Sequence, residues 1–376
     1  MKSERKSNWR YLFIKENRLK GNSFSSRFVP LSEAKGMGIK MNIKLKNLKA
    51  LPVIIIIAAL ATMILSLSVF PGCREVTATK ITVVLDWVPN TNHTGIYTAV
   101  ANGYYAREGL DVDIIQPTEG GSTDLIAAGK GEFGISYQEQ VTSARTADTP
   151  LPVVAIAAVI QHNTSGFASP VAKNIKTPSD FEGKKYGGWG SPMEDALLKA
   201  LMKKYGADFS KLEIVNIGAS DFFTSVTRDV DFSWIYYGWD GVAAELKNFK
   251  IDFMLLQDLD PLLDFYTPVI IASEKTVSEN PELVKKFLRA TAQGYEFAIS
   301  NPEKAAEILA GKVPELDKNI VAASQKYLAK QYIGDAKRWG EMKESVWGTF
   351  GNWMYENNLI TRKLEASKAF TNEFLP

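Results

Sequence analysis

At 376 residues, 45% of them apolar and 23% charged, the chain is globular and long enough for two domains. Its net charge of +2 is unevenly spread: residues 1–72 carry 13 Lys/Arg and 3 Asp/Glu, leaving 31 basic and 39 acidic residues downstream. An acidic body with no basic, aromatic-interleaved stripe argues against nucleic-acid binding, a single cysteine excludes an intrachain disulfide, and two histidines exclude a multi-histidine metal centre.

Residues 1–36 have no periodic pattern and read as an upstream extension; Met37 or Met41 would open a normal export signal. Residues 37–72 are that signal. Lys40, Lys44, Lys46 and Lys49 precede an almost wholly apolar run from Leu51 to Phe70, which breaks at Pro71-Gly72-Cys73. The pattern resembles a lipoprotein signal, with Cys73 lipidated after cleavage behind Gly72. About 20 apolar residues would also span a bilayer as an uncleaved helix. Either route tethers the body at the outer face of the cytoplasmic membrane or in the periplasm.

From Lys80 onward β-branched runs alternate with helical periods. Strands are expected at Ile81–Leu85, Val112–Gln116, Phe133–Ser136, Val153–Ile160, Lys185–Gly187, Glu213–Asn216, Phe232–Ile235, Asp252–Leu256 and Pro268–Ile271. Helices are expected between them at Thr94–Glu108, Ser122–Ala128, Gln138–Thr146 and Ser191–Tyr205, each closed by glycine or polar residues. After Ile271 the chain is nearly all helical, with Asn280-Pro281-Glu282 and Asn301-Pro302-Glu303 as two N-cap and Pro-N1 starts. Further helices fall at Lys318–Ala329 and Glu341–Asn357. The order predicts an α/β fold with mostly parallel sheets in two lobes. Residues 80–166 and 264–376 form lobe one, with the C-terminal helices packed mainly on it, and 167–263 form lobe two. The crossings are placed near Ser165–Ala172 and Pro261–Pro268, and a ligand would sit in the cleft between lobes.

Five segments at strand ends could hold that ligand. The first, Asp86-Trp87-Val88-Pro89-Asn90-Thr91-Asn92-His93, gathers an acid, an indole, amides and a histidine on one strand-to-helix loop. In Pro117-Thr118-Glu119-Gly120-Gly121-Ser122, Glu119 could reach a ligand, or the segment is a turn with an N-cap. Ser136, Tyr137 and Gln138 end a strand at a helix start, where Glu139 favours the helix dipole. Tyr186–Glu194 sets Trp189 among glycines; Glu194 is either a ligand carboxylate or the N3 member of a capping box on Ser191. Trp234-Ile235-Tyr236-Tyr237-Gly238-Trp239-Asp240-Gly241 holds more rings than one strand end needs, and alternation favours Tyr237 and Trp239 as the exposed pair. No arginine lies in any of these loops. Sulfonate or phosphate recognition would use Arg or a helix-end nest, whereas rings and acids suit a neutral or cationic planar heterocycle.

The segments Asp86–Gly95, Gly103-Tyr104-Tyr105 with Glu108–Val112, Gly188–Pro192 and Trp234–Gly241 resemble motifs of the NMT1/THI5-like (thiamine pyrimidine precursor) substrate-binding proteins of ABC transporters, over essentially Lys80 to Phe374. The resemblance implies a type II periplasmic-binding-protein fold. It also implies delivery of N-formyl-4-amino-5-aminomethyl-2-methylpyrimidine to an ABC permease, with aromatic side chains sandwiching the ring and acids or amides holding its amines. A riboflavin receptor of the same family is the nearer rival. A eukaryotic branch makes the thiamine pyrimidine from its own histidine and pyridoxal phosphate, and His93 looks equivalent to that histidine. That branch has a cysteine-rich motif, whereas this chain has no cysteine beyond Cys73. The expectation is a monomeric receptor without catalysis, cofactor or metal.

Overall fold

The computed structural model describes residues 78–117, 121–218 and 220–376. The extension, the export signal, Cys73 and Glu119 lie outside the described residues. Two five-stranded sheets organise the rest. The first has the order β2-β1-β3-β10-β4, with β1 at Thr79–Val84, β2 at Leu110–Ile115, β3 at Phe133–Ser136, β4 at Val153–Ala158 and β10 at Val269–Ser273. The second runs β7-β6-β8-β5-β9, with β5 at Ser165–Pro170, β6 at Lys185–Gly188, β7 at Glu213–Asn216, β8 at Phe232–Tyr236 and β9 at Ile251–Leu255.

Both sheets are mixed, which corrects the expectation of mostly parallel pairing. In each, three strands pair in parallel through helical crossovers, and one strand that follows a lobe crossing runs against its two neighbours. That strand is β10 between β3 and β4, and β5 between β8 and β9. Strand β5 was expected to be the first crossing. Its sequence, Ser-Gly-Phe-Ala-Ser-Pro, has no apolar run, yet its first five residues are buried. A Cβ on Gly166 would lie 2.2 Å from the Met254 carbonyl oxygen, so only glycine lets β9 approach. The chain therefore leaves the first sheet after Ala158 and has entered the second by Ser165. It returns between Leu255 and Val269.

Nine helices matter here: α1 (Thr94–Ala101), α2 (Gly121–Ala127), α3 (Gln138–Thr146), α4 (Pro192–Lys204), α5 (Phe222–Arg228), α6 (Pro281–Ser300), α7 (Pro302–Lys312), α8 (Lys318–Gln331) and α9 (Glu344–Glu356). The single helix expected over Thr94–Glu108 is broken after α1, where Gly103 takes a φ of 69° before a short turn at Tyr104–Arg107. Asn280 and Asn301 occupy the N-cap positions of α6 and α7 with Pro next, but neither side chain caps the helix it precedes; Asn301 Nδ2 instead donates back to the Phe297 carbonyl of α6 at 3.3 Å.

The lobe-one core joins β1, β3 and β4 to α1 and α6. Phe133 stacks on Phe287 at 3.8 Å between ring centroids, and Gly95 and Gly294 let α1 and α6 touch backbone to side chain. Lobe two is built on Phe167, Phe181, Tyr186, Phe232 and Leu197. Most of the C-terminal helical mass lies on lobe one, but two helices straddle. Trp347 of α9 joins the lobe-one cluster around Val269 and Ile271, while Phe350, Trp353 and Met354 join the lobe-two cluster. On α8, Ser324 Oγ donates to the Gly238 carbonyl and lies 2.5 Å from Thr91 Oγ1.

Candidate functional site

Strand β1 delivers Asp86 to its carboxyl end, behind the fully buried Val84 and Leu85. Asn90 then starts a 3-10 turn, Thr91–His93. Its side chain accepts from Asn92 N at 2.9 Å, and its own N–H donates to His93 Nδ1 at 3.1 Å. With Nδ1 an acceptor, the ring proton sits on Nε2 and donates to Asp86 Oδ1 at 2.6 Å. The Tyr137 hydroxyl donates to Asp86 Oδ2 at 2.5 Å. Burial opposes ionisation of Asp86, but the hydrogen bonds donated by His93 and by the Tyr137 hydroxyl outweigh it. Its carboxyl is held below the ordinary range. The result is a fixed, buried negative charge.

Asp86 borders a cavity of 90 Å³ between the lobes. Lobe one contributes Asp86, Trp87, Asn90, Thr91, Asn92 and Tyr137; lobe two contributes Tyr236, Gly238, Trp239 and Asp240. The crossings add Ile160, Thr164 and Thr267, and α8 adds Leu328. Burial raises Tyr137 and Tyr236 well above the usual phenol value, so both are neutral donors. Burial, reinforced by Asp221, pushes Asp240 up to about 6. A wider groove of 430 Å³ opens nearby between α2, α3 and the start of α4, with Asp124 and Glu139 on its wall. Burial and the Glu194 charge push Glu139 up to about 7. Among the described residues, no lysine or arginine lines either space.

Of the residues expected from the loops, the cavity collects Asp86, Trp87, Asn90, Tyr137 and Trp239. The other described ones lie elsewhere. His93 is fully buried behind Asp86 and acts on the cavity only through that carboxylate. Ser136 is buried, 2.7 Å from Thr123 Oγ1 and donating to Gln140 Oε1 at 3.1 Å. Gln138 accepts from Tyr266 N at 2.8 Å and donates to the Val346 carbonyl at 3.2 Å, stitching α3 to the second crossing and α9. Glu194 is the capping-box member: it accepts from Ser191 N and Gly190 N at 2.9 Å, from Trp189 N, and from Tyr186 OH at 2.6 Å. Trp189 is 45% exposed and leans on Trp234 at 5.3 Å, away from the cavity wall.

Alternation along β8 chose Tyr237; the structure puts Tyr236 on the wall instead. Residues Tyr237–Gly241 form one π-helical turn, which re-aims the side chains. Tyr237 packs on Phe253 and Tyr327 and donates to Glu245, while Trp239 and Asp240 swing to the cavity. The composition of that segment marked the place; only the backbone turn sorted its members. Thr164, Thr267 and Leu328 carried no sequence signal, because their place on the wall depends on how the crossings and α8 dock.

A profile of NMT1/THI5-like proteins matches residues 90–305. The chain belongs to the NMT1/THI5-like family. It is 27% identical over 328 residues to the formylaminopyrimidine-binding protein of Halalkalibacterium halodurans, covering 83% of this chain and 97% of that one. It is 25% identical over 305 residues to a 4-amino-5-hydroxymethyl-2-methylpyrimidine phosphate synthase of Legionella pneumophila, covering 79% and 92%. The fold matches the periplasmic aliphatic sulphonate binding protein SsuA of Escherichia coli with a TM-score of 0.59 at 15% identity, over 77% of this chain and 91% of that one. This NMT1/THI5-like chain thus has the two-lobed α/β binding-protein fold, with its acidic, ring-lined cavity where the lobes meet.

Proposed function

We propose that the chain is the extracytoplasmic solute receptor of an ABC importer and takes a thiamine-related aminopyrimidine, formylaminopyrimidine or a close analogue, between its lobes. One observation carries this reading. The interlobe cavity sets two carboxylates, Asp86 and Asp240, among Trp87, Tyr137, Tyr236 and Trp239, with no cationic side chain among the described residues of its wall. Such a wall accepts N–H bonds from exocyclic and ring amines and offers faces for stacking. It gives a sulfonate or phosphate no cationic partner, and its two carboxylates repel one.

The cavity, at 90 Å³, is smaller than the roughly 150 Å³ that houses a benzene ring in an engineered core. A substituted pyrimidine therefore enters as the lobes part, and the half-exposed Trp87 closes over it. The receptor reading is favoured over a synthase by His93, which is wholly buried with both ring nitrogens engaged. The body would be held at the outer face of the cytoplasmic membrane through lipid on Cys73 or through the 51–70 segment.

Titration calorimetry with formylaminopyrimidine, thiamine, riboflavin and taurine tests the reading. Formylaminopyrimidine should bind tightly and taurine not at all. Riboflavin binding without a pyrimidine response would move the chain to the flavin rival, and taurine binding would overturn the cleft chemistry.

A further inference from the structure

The first lobe crossing carries a histidine that the ligand site does not use. His162 lies between two carboxylates on separate segments: Nδ1 is 2.7 Å from Asp264 Oδ2 in the second crossing, and Nε2 is 3.2 Å from Asp335 Oδ1 beyond α8. A neutral imidazole has one N–H and one lone pair, so it can donate to only one of two ionised carboxylates and turns a lone pair on the other. Only the imidazolium satisfies both. The surroundings lock each partner. Asp264 Oδ1 accepts from Asn163 N at 2.9 Å, and Asp335 Oδ2 accepts from Lys343 Nζ at 3.1 Å. Gln161 N donates to the Gln331 carbonyl at 3.2 Å, and Gln161 Nε2 to the Glu341 carbonyl at 3.0 Å. The Asp335 turn is seated on the crossing by Gly334, whose φ is 47° and whose absent Cβ would lie 2.9 Å from Gln161 Cβ.

We propose that His162 is a proton-dependent clasp on the hinge, which in its protonated form ties both lobe crossings to the C-terminal segment. The titratable and charged groups around it are Asp264, Asp335, Lys343 and Tyr266, with Tyr266 itself feeling Asp264, Asp335 and Glu341. The hydrogen bond to Asp264 raises the imidazole above its ordinary value; partial burial opposes this, and the two carboxylate charges reinforce it. A raised folded value sets the sign. The clasp is fully closed below the ordinary histidine pKa and is released as pH rises through the raised one. The proposal stands whichever solute the cleft takes.

The chain has only two histidines, so their ring resonances are separable by one substitution. In a proton NMR titration of the whole protein, the His162 signal should have its midpoint above about 6.5. Asp264→Asn and Asp335→Asn should each lower that midpoint, the former by more. Asp335 is 60% exposed, so its variant folds without rearranging a core. The protection factors of the Gln161 and Asn163 amides, corrected for intrinsic exchange, should fall through the same midpoint in the wild type and stay flat in His162→Gln. A midpoint at or below the ordinary value, or amide protection that follows pH identically in wild type and His162→Gln, overturns the clasp.

Discussion

Replacing Asp86 by Asn keeps the shape of the side chain and removes its charge. The carboxylate now accepts one bond from His93 at 2.6 Å and one from Tyr137 at 2.5 Å, in a site only 4% exposed. Hydrogen bonds to a charged group contribute about 1.5–3 kcal/mol each. Asn keeps one acceptor oxygen, and its amide turns a donor toward a group that also donates, so about one such bond is lost. The expected cost is about 2–3 kcal/mol of stability, read by urea denaturation followed through tryptophan fluorescence. The lowered folded pKa gives the pH dependence its sign. The wild-type advantage is fully present above the unfolded value, about 3.9, and is lost as pH falls through the lower folded one. Affinity for formylaminopyrimidine should fall at least about tenfold, or 1.4 kcal/mol. A stability difference that does not change from pH 7 to pH 2, together with unaltered affinity, would refute both the buried-charge argument and the assignment of Asp86 to the ligand.

Two further expectations follow from exposure and charge. Trp87 is 54% exposed and on the cavity wall, so Trp87→Ala should leave the melting temperature nearly unchanged while weakening formylaminopyrimidine by about 1–3 kcal/mol. Trp189→Ala should leave affinity intact, and calorimetry on the two variants compares them directly. Glu139, pushed up to about 7 by burial and by Glu194, is held protonated in the folded state between its ordinary value and 7. Stability should therefore decline as pH rises across that interval and level off above it. Glu139→Gln should match the wild type near pH 4 and exceed its melting temperature at pH 8; a constant offset across that range would show that Glu139 does not titrate in this way.

Local pattern was enough for much of the architecture. Nine of the ten strands among the described residues were expected from sequence, mostly as β-branched or apolar runs, as were helices α3, α4, α6 and α8 from their period, with glycine or Asn-Pro punctuation at α4 and α6, because each buries an apolar face that its own sequence must supply. The loop Asp86–His93 was legible for the same reason: its acid, indole and amides stand together in sequence, as they do on the cavity wall. What pattern could not reveal was assembled from distant parts. Strand β5 owes its burial to two neighbours rather than to its own residues, and its glycine serves another strand's backbone. Tyr236, still in strand β8, faces the cavity and Tyr237 does not, and the π-helical turn that follows brings Trp239 and Asp240 to the same wall, because one extra residue in a turn rotates the side chains after it. Local spacing already offered the capping-box role that Glu194 takes at α4; only docked elements could show that His93 stands behind Asp86 rather than before a ligand, and that Thr164, Thr267 and Leu328 complete the wall. Sequence sets what each segment can bury or donate; which donor meets which acceptor is a matter of three-dimensional distance, and no local pattern encodes that.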